Sequence, residues 1–208
     1  MTRHRKPQEW IEEILEAASC EIDANGYAAF TIDSIVRRVE LSKGGVYRFF
    51  KNKKEVALSL FTKCYRNYLD VDVHECVAWN MTIEETVFRV IFRFNVPENV
   101  VRRNDRIWIQ LLPEVLANKH FKEKRELLLS QIHIKIEELV RAVTKRDAYE
   151  LPKDFETKIS TSIAVGIALL EGVAVQSALG TPFDQQVKLT KSFFKILVAQ
   201  SLGGSTLN

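Results

Sequence analysis

Residues 31–56 read TIDSIVRRVELSKGGVYRFFKNKKEV, and three helix starts are legible in them. Thr31 is a favoured N-cap residue type, and Asp33 falls in the turn that follows, where a carboxylate meets the positive end of the helix dipole. Ile32, Ile35, Val36 and Val39 then recur at helical spacing, and the run closes near residues 40–41. Ser42 is placed to cap a second short helix over 43–50, with Val46 and Phe50 on its inner face. Asn52, followed three residues later by Glu55, forms a variant capping box that opens a third helix over 53–69, with Val56, Leu60 and Tyr65 among its apolar positions. Two short helices joined by a turn of three or four residues, packed on a preceding helix, make a helix-turn-helix. That preceding helix is predicted over 8–24, with Ile11, Ile14, Leu15, Ala18 and Ile22 on one face and a stop at Asn25-Gly26.

Charge sets the same stretch apart. Arg37, Arg38, Lys43, Arg48, Lys51, Lys53 and Lys54 stand against Asp33 and Glu40 alone, an excess of +5 over residues 31–54, whereas the whole chain of 208 residues carries +3. A localised basic excess is the footprint of a surface that meets phosphates. Gly44 and Gly45 open the 43–50 helix. An interior glycine costs about 1 kcal/mol relative to alanine, less in a first turn, and a missing side chain lets the backbone come close to a phosphate or a base edge. Tyr47 lies one turn after Lys43, on the face opposite Val46 and Phe50.

The stretch from Thr31 to Val56 resembles the DNA-binding domain of the TetR family of one-component transcriptional regulators. The shared pattern is Thr, two spaced aliphatics, a short turn ending in Ser, then Gly-x-aliphatic-Tyr-x-aromatic-Phe and the lysines that follow. The preceding ILEAASCEIDANGYAAF is similar to the family's first helix. The resemblance is specific over residues 8–60 and one of helix layout beyond. Two positions depart from the pattern: Glu40 stands where the family's turn carries Gly, and Val36 where it carries Ala.

The resemblance implies an all-α chain with a three-helix DNA-binding domain over 1–52 and an antiparallel helical domain for effector binding and dimerisation over 53–208. It implies DNA contacts from Thr31, Ser42, Lys43, Gly44, Gly45, Tyr47, Arg48 and Lys53. Tyr47 would reach a phosphate, Lys43 the major groove, and Thr31 and Lys53 phosphates at helix N-termini. Arg3, Arg5 and Lys6 are candidates for a minor-groove arm. The implied partners are a palindromic double-stranded operator, a second copy of the chain and a small, largely apolar effector, with the helix over 53–69 transmitting effector binding to the DNA-binding domain.

Outside this stretch the composition is that of a globular protein: 46% hydrophobic and 27% charged residues, with only five prolines and eight glycines. It excludes a disordered or collagen-like chain. Cys20, Cys64 and Cys76 are an odd set without paired spacing, which points away from a disulfide framework and toward the cytoplasm. The longest apolar run, over 163–170, falls short of the roughly 18 residues of a membrane span. Further helices are predicted over 83–95, 99–116, 121–145, 154–179 and 184–202. Phe88, Phe92, Phe94 and Trp108, with Leu111, supply aromatic and apolar bulk on consecutive helices, with Gln110, Glu114, His133, Glu137 and Gln176 as polar groups near them. From these, Phe88, Phe92, Trp108, Leu111, Glu114, His133, Glu137 and Gln176 are expected around an effector in a cavity of several hundred Å³. Ala164, Ala168 and Gly172 form a row of small residues at spacing four. With Phe193 and Leu197 of the apolar last helix they are expected at a dimer interface.

No Walker A loop, GxGxxG, HExxH or GxSxG is present, so no catalytic role is expected. Cys64, His74 and Cys76 lack a fourth ligand and zinc-like spacing, so neither metal nor cofactor is expected. A helical enzyme with a small-molecule pocket and a non-specific architectural DNA-binding protein remain as alternatives.

Overall fold

Side-chain caps set the helix starts that the sequence marks. In the computed structural model, which describes residues 5–91 and 96–203, the chain forms α1 (Pro7–Ala29), α2 (Ile32–Val36), α3 (Lys43–Tyr47), α4 (Lys53–Leu69), α5 (Val73–Ala78), α6 (Ile83–Ile91), α7 (Glu98–Ala117), α8 (Lys119–Arg146), α9 (Phe155–Ala178) and α10 (Phe183–Ser201). Among the described residues there is no strand. Thr31 Oγ1 accepts from the Ser34 N–H at 3.1 Å, and Ser34 Oγ accepts from the Thr31 N–H at 3.2 Å. Ser42 Oγ accepts from the Gly45 N–H at 3.1 Å, and Asn52 Oδ1 from the Glu55 N–H at 3.0 Å. The Glu55 carboxylate reaches back to the Lys51 N–H at 2.6 Å, one residue before the cap.

Several elements differ from expectation, and the helix expected to close near residues 40–41 already ends at Val36. The stop at Gly26 is a break rather than an end: Gly26 turns into left-handed backbone (φ 83°, ψ 154°), and one more helical turn follows to Ala29. The helix expected over 43–50 ends at Tyr47. α5 was not anticipated. It is six residues long, too short for a periodic apolar pattern, and starts on Asp72, whose carboxylate accepts from the His74 and Glu75 N–H groups. The helix expected over 83–95 is present to Ile91, and residues 92–95 lie outside the described residues.

Two cores hold the helices together. The first gathers Ile14, Ala18 and Ile22 of α1, Phe30, Ile35 and Val46 of the helix-turn-helix, Val56 and Phe61 of α4, and Leu111 and Phe121 from α7 and α8. It therefore continues past residue 52 into the C-terminal helices. The second joins α5, α6, the end of α8, α9 and α10 through Val87, Phe88, Val140, Ile159 and Phe194. Gly166 sets the spacing of α9 on α10, since a Cβ there would lie 3.3 Å from the Phe194 ring.

α9 is long and apolar enough to cross a membrane, with a mean hydropathy of 1.6, yet only 17% of its most apolar window is buried within the chain. Ala164, Val165, Ala168, Gly172, Val175 and Leu179 lie exposed along it. They continue onto exposed Leu189, Phe193 and Ile196 of α10.

Candidate nucleic-acid interface and effector cavity

The inner and outer faces of α3 divide as the spacing predicts. Val46 is fully buried and Phe50 nearly so, while Ser42, Lys43, Gly44, Tyr47 and Arg48 are exposed. The two glycines differ. A Cβ at Gly45 would meet the Leu41 side chain at 3.2 Å, so its smallness serves the turn's packing; a Cβ at Gly44 would stand in nearly open space, 3.9 Å from Ser42 Oγ. The turn accommodates Glu40 without left-handed backbone, which among the described residues occurs only at Gly26, Asn80, Ala148, Gly180 and Gly203. Glu40 is exposed and lies 3.5 Å from Arg5.

Carboxylates hold part of the positive charge on this face. Lys43 Nζ lies 2.9 Å from Asp33 Oδ1, and that contact raises the Lys43 amine above its ordinary pKa. Arg5 pairs with Glu13 at 2.5 Å and stacks 4.7 Å from the Trp10 ring; Arg3 lies outside the described residues. Lys53 turns inward. Its amine donates to the Ala28 carbonyl at 3.2 Å, sits 4.5 Å from the Tyr27 ring centroid, and is lowered in pKa by burial. Arg48 makes no ion pair among the described residues and points its charge to solvent.

A second feature lies deeper in the molecule. A cavity of about 70 Å³ opens between α4, α7, α8 and α9. Tyr65, Tyr68 and Cys64 of α4 line it, facing Asn104, Asp105 and Trp108 of α7, with aliphatic side chains from α8 and α9 and the carboxylate of Glu171. Trp108 Nε1 donates to the Tyr65 hydroxyl at 2.8 Å, and burial pushes the Tyr65 phenol up to about 12.

α7 joins this cavity to the DNA-binding helices. Its opposite side carries a polar row that grips α1: Arg103 forks onto Glu16 at 2.7 and 3.1 Å, and Arg106 onto Asp23 at 2.6 and 2.9 Å. Gln110 Oε1 accepts from the Tyr27 N–H at 2.8 Å. Glu114 lies 3.6 Å from Lys54, and burial, with Glu114 beside it, pushes the Tyr27 phenol up to about 12.

Residues 14–60, from the middle of α1 into α4, match the model of the family described as bacterial regulatory proteins, tetR family. Over those residues the chain is similar to the DNA-binding domain of the TetR family. Its sequence is 26% identical over 136 residues to the HTH-type transcriptional regulator YhgD of Bacillus subtilis (strain 168), covering 62% of this chain and 68% of that one. Solved structures share the fold at lower identity. A transcriptional regulator of Saccharomonospora viridis, in complex with choline, superposes with a TM-score of 0.69 at 19% identity, covering 90% of this chain and 96% of that one. The fatty acid degradation regulator FadR of Bacillus halodurans does so with a TM-score of 0.68 at 16% identity, covering 94% and 97%. The described residues thus form an all-α fold shared with these regulators, with a TetR-type DNA-binding domain over residues 14–60.

Of the expected effector residues, the structure brings Trp108 to the cavity. Phe88 is buried in the second core, and Leu111 is fully buried in the first. Glu114 faces Lys54, and His133 Nε2 lies 3.9 Å from Glu137 Oε2, both outside the cavity wall. Gln176 is exposed and accepts from the Thr181 hydroxyl at 3.1 Å. Phe92 and Phe94 lie outside the described residues. The cavity itself is smaller than the several hundred Å³ expected. Cys64, Tyr65, Tyr68, Asp105 and Glu171 were not anticipated. The helical spacing of 64, 65 and 68 and of 104, 105 and 108 was readable, but nothing in the sequence aims those two stripes at each other.

Among the dimer candidates, Ala164, Ala168, Gly172 and Phe193 are exposed, and a Cβ at Gly172 would meet nothing within 4 Å. Leu197 is half-buried and packs toward Gly166 of the same chain.

Proposed function

We propose that the chain is a TetR-family regulator, a cytoplasmic, homodimeric repressor whose operator affinity is set by a small molecule held between α4, α7, α8 and α9. The DNA-binding unit is residues 1–52, and the rest of the chain binds the effector and a second copy. Lys43, Gly44, Tyr47 and Arg48 meet the operator from the exposed side of α3, with Thr31, Ser42, Gly45 and Lys53 shaping or supporting that face.

One observation carries the reading. α7 lines the cavity with Asn104, Asp105 and Trp108 and grips α1 with Arg103, Arg106 and Gln110 on its other side. A guest that shifts α7 therefore acts on the DNA-binding helices directly, beside any movement of α4, which supplies Tyr65 and Tyr68 to the same cavity. Coupling of this kind amounts to about 1–3 kcal/mol, reciprocal between effector and DNA. The exposed row of Ala164, Ala168 and Gly172 with Phe193 supports pairing of α9 and α10 with their copies. Two recognition helices can then reach successive major grooves about 34–36 Å apart.

The test is an operator-binding titration with and without candidate compounds. A repressor of this design loses operator affinity by about 5- to 150-fold when its effector binds. A Trp108→Ala variant that binds the operator but ignores an effector active on the wild type supports the cavity as the site. Unchanged effector response in Trp108→Ala contradicts it.

A further inference from the structure

A second cavity adjoins the first. It measures about 30 Å³ and lies between α6, α8, α9 and α10, inside the second core. Ile136 of α8 and Ile167 and Leu170 of α9 stand in both walls, so these aliphatic side chains form the partition between the two spaces. Together the cavities follow one side of α9, from Ile159 in the second to Ala174 in the first. That stretch of helix is about 22 Å long, at about 1.5 Å per residue. Among the described residues the walls offer a guest no free charge. Glu171 is held by Arg125 at 2.5 Å, Arg125 also reaches the Tyr65 hydroxyl, and Asp105 is engaged within the chain. Trp108 has given its indole N–H to Tyr65. The described lining of the second cavity carries no ionisable group, and its serines, Ser162 and Ser201, both donate to the Leu197 carbonyl.

We propose that the effector is an uncharged, straight-chain aliphatic molecule of about seven to ten heavy atoms, its body in the first cavity and its tail passed between Ile136, Ile167 and Leu170 into the second. The assignment rests on the reading of the first cavity as the effector site. At about 10–15 Å³ for each water-sized group, the first cavity holds about five to seven such groups and the second two or three. A compact or branched guest fills the first alone. A straight chain reaches both, and each methylene taken out of water adds about fourfold in affinity. Ile167 and Leu170 are half-buried, which leaves them room to change rotamer and open the partition. A charged end would enter walls whose carboxylates are already matched, and a charge buried without a counter-charge is strongly unfavourable.

Calorimetric titration of the full chain at pH 7 with the primary alcohols from butanol to decanol tests this, with tert-butanol, heptylammonium and heptanoate beside them. Affinity should rise about fourfold per carbon as far as heptanol or octanol, then level off or fall. Heptylammonium and heptanoate should each bind at least about tenfold more weakly than heptanol. Val140→Leu adds a carbon to the wall of the second cavity, so it should weaken octanol about fourfold and leave butanol unchanged. Ala174→Phe fills the first cavity and should abolish binding of the whole series. The length series and Val140→Leu carry the test if Ala174→Phe fails to fold. Butanol or tert-butanol bound as tightly as heptanol, or an octanol affinity unchanged in Val140→Leu, overturns the chain assignment and leaves the effector site in place. Either ion bound as tightly as heptanol overturns the uncharged assignment and also leaves the site. Binding that survives in a folded Ala174→Phe protein, or no binding by any of these solutes, overturns both readings.

Discussion

Gln110 of α7 accepts a 2.8 Å hydrogen bond from the backbone N–H of Tyr27, the residue that follows the break in α1 at Gly26. The break takes the Tyr27 amide out of the regular helical ladder, and a side chain from the C-terminal helices supplies its acceptor. The first helix of the DNA-binding unit is thus completed by the helix that walls the cavity.

Gln110→Ala removes that acceptor and leaves a part-buried N–H without its partner, at a cost of about 1–2 kcal/mol in stability. We expect a lowered urea midpoint at unchanged m-value. Operator affinity in the absence of effector should fall, and the ratio of affinities with and without effector should shrink. A full effector response in a stably folded Gln110→Ala protein would place the coupling in α4 alone.

Gly44 and Gly45 should respond oppositely to alanine. Gly44→Ala meets open space, so the gain in helix propensity, up to about 1 kcal/mol, should hold or raise the melting temperature while the added methyl weakens DNA binding. Gly45→Ala drives a Cβ to 3.2 Å from Leu41, so the turn must give way and stability should fall relative to Gly44→Ala. Melting curves and operator titrations of the two variants check the pair.

Asp33 restrains Lys43. Asp33→Asn frees the amine now 2.9 Å from the carboxylate and removes one negative charge from the DNA-facing surface. Binding to duplexes of any sequence should tighten, and the salt dependence should steepen by about one counterion. An unchanged salt slope would show that Lys43 already leaves Asp33 when DNA arrives.

Ala168→Arg tests the assembly. Ala168 is exposed in the single chain, so an arginine there is harmless to the monomer and destructive to an α9–α10 interface, where it buries an unpaired charge. Sedimentation should show a folded monomer. An intact dimer with unaltered affinity would move the interface to another surface.

The N-terminal half was legible because capping is local chemistry. Thr31, Ser42 and Asn52 each announce a helix within three residues, and each caps one. The cavity was not legible, because its wall depends on which stripes of α4, α7 and α9 meet. Aromatic bulk drew attention to Phe88, which fills the second core, while Tyr65 read as an ordinary apolar position of α4. The row of Ala164, Ala168 and Gly172 was visible, yet the close intrachain approach is made by Gly166, two residues from Ala164 and Ala168 on the opposite face.

The most direct measurement is selection of bound duplexes from a random double-stranded library by the full-length protein at physiological salt. Enrichment of one inverted repeat with half-sites about one helical turn apart is expected, with loss of that enrichment in Lys43→Ala and Tyr47→Phe. Recovery of duplexes with no common sequence, or of the same repeat by both variants, would contradict sequence-specific operator binding by this face.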